Sequence, residues 1–175
     1  MSLLLDPRPS GLPHDAFVAR FGGVYEHSPW VAEAVLAAGP APDTPEIMAS
    51  RMAAVVEAAG HDRQLILLRA HPELAGKLAM RKELTADSLS EQVSARLDQC
   101  NPEEFARFSA LNTQYNAKFG FPFVIAVRGL QRADILASFE HRVSNTAADE
   151  FRTALDQVHK IARLRLSAMT APEND

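Results

Sequence analysis

The punctuation of this chain predicts an all-α fold of about eight helices, built as one compact domain over residues 1–175 with its core at about 14–168. Three observations carry that prediction. Ser28-Pro29, Thr44-Pro45 and Asn101-Pro102 each set a capping side chain before a proline at a first helical position, where the missing N–H costs nothing. The segments that follow run into Gly39, Gly60 and Gly120, placed as carboxyl caps. No run of alternating apolar and polar residues reads as a strand.

Taken in order, helical patterns cover Ala16 to Phe21, Pro29 to Ala38, Pro45 to Ala59, Arg63 to Ala70, Leu89 to Gln99, Pro102 to Lys118, Arg132 to Ser144 and Ala147 to Met169. Residues 121–127, Phe-Pro-Phe-Val-Ile-Ala-Val, break the series. Their β-branched and aromatic content suits either a short strand or an extended buried segment. The first ten residues and the last five or six are expected to be loose.

Composition narrows the function classes without choosing one. Among 175 residues, 47% are hydrophobic, which suffices for one sizeable core. Eighteen Lys and Arg against 22 Asp and Glu give a net charge of −4, spread along the chain without a basic stripe, so nucleic acid is not an expected partner. The single Cys100 forms neither an internal disulfide nor a cysteine metal cluster, which suits a reducing compartment. Residues 1–13 lack the basic region of a signal peptide, and no apolar stretch approaches the roughly 18 residues that span a bilayer. The final residues carry no peroxisomal or retention tripeptide, and a cytoplasmic protein without membrane contact is expected.

Three positions invite chemistry, each with a plainer reading beside it. His71 precedes Pro72, which pushes it out of the α region, so the helix before it ends there. A histidine at that place is poised near neutral pH, or it is a simple terminator with a solvated ring. Ser88-Leu89-Ser90-Glu91 has the spacing of a capping box, yet a helix start also presents donors to an anionic ligand. On the last helical pattern Phe151, Leu155, Val158, Ala162, Leu166 and Met169 share one apolar arc, and Arg165 falls within it while Lys160 and Arg163 point away. A guanidinium aimed inward must meet a carboxylate, backbone carbonyls or an anionic ligand, unless it snorkels out. Asn112 shares a face with Phe105, Phe108, Tyr115 and Phe119 and is read as a buried, hydrogen-bonded structural amide. The histidines at 14, 27, 61, 141 and 159 read as surface or capping residues.

Absent motifs matter as much. There is no H-E-x-x-H, P-loop, G-x-G-x-x-G, G-x-S-x-G or paired C-x-x-C, so no metal or nucleotide cofactor is expected.

Several blocks, in order and at compatible spacing, resemble one family. They are FGGVYEHSPW at 21–30, HPELAGK at 71–77, SLSEQ at 88–92, LNTQYNAKFGFPFVIAVRG at 111–129 and IARLRL at 161–166. Together they look like the decarboxylase of 2-oxo-4-hydroxy-4-carboxy-5-ureidoimidazoline (OHCU), over about residues 14–168. The resemblance implies an all-helical, homodimeric, cofactor-free lyase that converts OHCU to (S)-allantoin and carbon dioxide in urate degradation. It sets the family's essential histidine, glutamate and arginine on His71, Glu91 and Arg165. Its implied substrate contacts are Pro72, Ser88, Leu89, Ser90, Glu91 and Gln92, with the backbone of Phe123, Val124, Ile125, Ala126 and Val127. Two other readings stand beside it: a hydrolase of a related ureide ring, most plausibly metal-dependent, and a non-catalytic helical interaction domain.

Overall fold

The computed structural model of the chain describes residues 3–76 and 84–171, so Lys77 of the HPELAGK block and the expected loose tail at 172–175 lie outside the described residues. Its regular structure is helical, and the described residues contain no strand ladder. The all-α expectation therefore holds. The chain divides into two compact units, residues 1–70 with 159–175, and residues 71–158.

In the first unit, helices α1 (His14–Phe21), α2 (Trp30–Ala37), α3 (Pro45–Ala58) and α4 (His61–Arg69) follow one another through short turns. Thr44 and Pro45 open α3 as the cap-proline pattern requires, with Thr44 extended and Pro45 at the first helical position. Gly60, at φ 85°, turns the chain directly from α3 into α4, which starts two residues before the expected Arg63. Phe17, Phe21, Val31, Val35, Met48, Met52, Val56, Leu67 and Leu68 form the core of this unit. Its edge corrects one expectation. Residues 4–10 are not loose: Leu5 is 1% exposed and bridges Thr170, its N–H donates to Asp43 O at 2.8 Å, and Asp6 N–H donates to Met169 O at 2.9 Å. Burial of one leucine and a few paired backbone groups hold a stretch that composition alone marks as a tail.

The second unit holds α5 (Ala86–Ser94), α6 (Pro102–Phe119) and α7 (Arg132–Arg142). Helix α8 (Ala147–Ser167) begins here, and its residues from His159 onward belong to the first unit. Asn101 and Glu104 make the reciprocal capping box that starts α6, and left-handed Gly120 ends it. The helix expected over 89–99 is displaced. It starts at Ala86, where Thr85 accepts from Ser88 N–H at 3.3 Å, and ends at Ser94 before Arg96 turns left-handed at φ 56°. Ser88 therefore sits inside the helix, and the 88–91 capping box is not formed. The earlier start places Ser88 and Gln92 on one buried face, which outweighs the local capping spacing.

Tyr115 anchors this unit's aromatic core, its ring 5.5 Å from Phe123 and 5.8 Å from Phe139. Residues 121–127 take the second of their two expected forms, an extended buried segment without strand pairing. Along α8, Leu155, Val158, Ala162 and Leu166 are buried with Arg165, while Lys160 and Arg163 are exposed, as the apolar arc predicts.

Candidate active site

In the second unit, the loop that carries His71 is built by the residues that brace it. The histidine is 8% exposed and Pro72 beside it is half-buried. Beyond them the chain turns sharply: Ala75 is left-handed at φ 49°, and a Cβ on Gly76 would lie 2.9 Å from Glu73 Cβ, a separation that only glycine avoids. Three amide side chains then fix the turn. Gln92 accepts from Ala75 N–H at 3.1 Å and donates to Glu73 O at 3.2 Å. Asn112 donates to Leu74 O at 3.0 Å, and Asn116, one helical turn on, donates to Glu73 Oε1 at 2.9 Å. Asn112 thus has the buried structural role its helical face predicts.

The 88–92 segment supplies both brace and open surface. Ser88 and Gln92 are buried, Leu89 and Glu91 are half-buried and Ser90 is exposed. With Thr85 as the cap, Glu91 lies past the first turn of α5, and its carboxylate is not needed at the helix start. That removes the plainer reading of Glu91. Gln92 has the opposite outcome, because its amide both donates and accepts within the His71 loop.

The extended segment lies in the same unit. Phe123, Val124, Ala126 and Val127 are buried and Ile125 is half-buried. Arg142 Nη1 donates to Val124 O at 2.8 Å, and Ala126 N–H donates to Gln157 Oε1 at 3.0 Å. Among the described residues, the N–H groups of Val124, Ile125 and Val127 have no protein acceptor. N–H groups left without a protein acceptor can be offered to an oxyanion.

Arg165 belongs to the first unit, and the structure answers which partner its inward side chain meets. It is 4% exposed, and its Nη1 lies 2.9 Å from Glu26 Oε2 and 3.2 Å from Gly23 O. Glu26 itself is 1% exposed. The loop that presents it is held at several points: Ser28 Oγ donates to Glu26 O at 2.8 Å, and Tyr25 OH meets His159 Nδ1 at 2.7 Å. His159 Nε2 in turn meets Glu57 Oε1 at 2.8 Å. Burial, with the Glu57 charge, pushes the Tyr25 phenol well above its ordinary range, so it stays a neutral hydroxyl.

Sequence reasoning missed Glu26 and His159. Both left a signal. An arginine on an apolar arc requires a carboxylate somewhere, and Glu26 stands between the bulky Tyr25 and Trp30 in a block already singled out. His159 is four residues after Leu155 and three before Ala162, on the same arc as the core side chains, so it is not the surface residue expected.

The chain is similar to known proteins over most of its length. Residues 10–167 match the profile of the OHCU decarboxylase family. A 2-oxo-4-hydroxy-4-carboxy-5-ureidoimidazoline decarboxylase of Haloferax volcanii is 45% identical over 93% of this chain and 94% of its own length. One of the same name from Halalkalicoccus jeotgali is 40% identical over 91% of this chain and 88% of its own. Among solved structures, that of an (S)-allantoin synthase superimposes with a TM-score of 0.72 at 34% identity, covering 90% of this chain and 51% of the other. The chain belongs to the OHCU decarboxylase family.

Proposed function

We propose that this protein decarboxylates OHCU to (S)-allantoin and carbon dioxide in urate degradation, with His71, Glu91 and Arg165 as its catalytic residues. One observation carries the reading: the family match spans residues 10–167, the stretch in which all three positions and every proposed contact lie. The braced, buried His71 loop and the inward Arg165 support it.

The bond from C4 of OHCU to its carboxylate breaks, carbon dioxide leaves, and the electron pair forms a C4–C5 double bond as the C5=N electrons pass to N1 and the 2-oxo group; protonation there gives an enol, whose 4-hydroxyl loses its proton as C5 gains one. An enolate-like charge must then be stabilised and protonated on one face. Arg165, as a permanent cation, holds the anionic substrate, and N–H groups of the Phe123 to Val127 backbone receive the developing oxyanion. His71 is the acid/base at the reacting carbon. Glu91, freed from capping, orients the imidazole or binds the ureido and hydroxyl hydrogens of the substrate. Pro72 and the residues Ser88, Leu89 and Ser90 line the substrate, and Gln92 adds its contact through the loop it holds. The protein works without a cofactor, as a cytoplasmic homodimer; light scattering of the purified protein checks the dimer.

The deciding experiment generates OHCU from urate with the upstream enzymes and follows the chirality of the allantoin formed. Spontaneous decay gives a racemate, whereas this protein is expected to give rapid, single-handed product. His71→Asn should stay helical and lose about 10² to 10⁴-fold in turnover, the usual worth of one positioned acid/base. A loss below about tenfold removes the histidine from the mechanism.

A further inference from the structure

The segment Phe123 to Val127 has a problem to solve if it is to receive a substrate. It has no strand partner to fix its peptide planes, so they must be fixed by side chains. Two side chains of the second unit reach its backbone, one from each kind of polar group. Arg142 Nη1 donates to the carbonyl of Val124 at 2.8 Å. Gln157 Oε1 accepts from the N–H of Ala126 at 3.0 Å. The two contacts are two residues apart and bracket Ile125.

Arg142 is itself held at every turn. It is 6% exposed, and its Nε donates to Glu150 Oε1 at 2.7 Å, while its guanidinium lies 4.3 Å over the Phe123 ring. That ring stacks on Phe139 at 3.9 Å with an interplanar angle of 8°. Glu150 is fully buried, with Tyr115 OH donating to Oε1 at 2.6 Å and Asn145 Nδ2 donating to Oε2 at 3.1 Å. A desolvated ion pair of this kind adds little net stability over an apolar pair of the same volume. Its geometry is what it contributes, because a planar guanidinium fixed by a carboxylate and a stacked ring aims its remaining N–H groups in one direction.

We propose that Arg142 and Gln157 are positioning residues that fix the peptide planes from Val124 to Ala126, so that the neighbouring N–H groups are preorganised for the oxyanion of the substrate. The proposal rests on the decarboxylase reading for what those N–H groups bind. Arg142 and Gln157 themselves need not touch substrate. Preorganisation is costly to lose, since a displacement of about 1 Å at a site can lower the rate about 10²-fold.

The test uses Gln157, which is half-buried on a helix and can be changed without opening the core. Gln157→Ala removes the acceptor, Gln157→Glu keeps one, and Arg142→Lys keeps charge but loses the fork. Each is compared with the wild type for kcat and KM on freshly generated OHCU, and for amide hydrogen exchange at Ala126, whose N–H the clamp holds. Gln157→Ala and Arg142→Lys should lose about 10- to 100-fold in kcat/KM and exchange faster at that amide, while Gln157→Glu stays within about threefold of wild type on both. Wild-type activity and exchange in Gln157→Ala would overturn the proposal, as would a Gln157→Glu protein as impaired as Gln157→Ala. An inactive wild type would sink the decarboxylase reading instead, and the exchange comparison would still decide whether the clamp exists. Should Arg142→Lys fail to fold, the two Gln157 variants decide alone.

Discussion

Glu26 shows how one residue type forces another. An arginine is never neutral in a protein, and at 4% exposure Arg165 has lost most of its water, so the 2.9 Å contact with Glu26 is what lets the helix turn carrying it pack inward. Cutting a buried pair on one side leaves the other charge stranded. Glu26→Ala should therefore cost about 3–5 kcal/mol in a denaturant titration, well beyond the 0–1 kcal/mol typical of an exposed pair. A loss below about 1 kcal/mol would show that Arg165 finds its compensation elsewhere. The arginine was legible in the sequence through helical phase; its partner was not, because phase fixes which side chain turns inward and says nothing of what comes to meet it across more than a hundred residues.

At the scale of the element, starts and stops were legible where a backbone constraint sets them. Proline at 45 and 102, and positive φ at Gly60 and Gly120, leave the chain little choice, and α3 and α6 lie within a residue of their expected ends. The start of α5 was not legible. Thr85 and Ser88 are both competent caps, and burial of Ser88 and Gln92 decides between them, a tertiary effect invisible to local spacing. The site shares that limit: of the amides that brace the His71 loop, helical phase marked Asn112 as buried but not the loop it holds, and Asn116 looks in sequence like an ordinary polar residue on a helix. The loop makes its own prediction. With a Cβ at 2.9 Å from Glu73 Cβ, Gly76→Ala must shift the turn, so turnover should fall about tenfold or more while far-ultraviolet dichroism stays that of the wild type. Unchanged turnover would mean that the loop has slack to absorb a methyl group.

Over the whole molecule, folding couples to pH through its carboxylates, and Asp43 is one whose response can be given a sign. The Ser10 N–H at 2.9 Å and Ser10 hydroxyl at 2.8 Å hold its carboxyl below the usual range. A lowered native value means that the stabilisation is fully present above the unfolded value of about 3.9 and is lost as pH falls through the lower native one. Asp43→Asn should accordingly melt below the wild type at about pH 5, with the gap closing toward about pH 2. A gap that stays constant with pH would assign the effect to shape and not to charge. Salt is the complementary variable. The contacts of Gln92 and Asn112 with the His71 loop join uncharged groups on both sides, and that of Asn116 engages a carboxylate. Mobile ions weaken contacts between exposed charges and leave amide-to-carbonyl bonds nearly untouched. The amide-held turn at residues 73–75 should therefore keep its shape from dilute buffer to strong brine, with slow exchange of the Ala75 amide in both as the check.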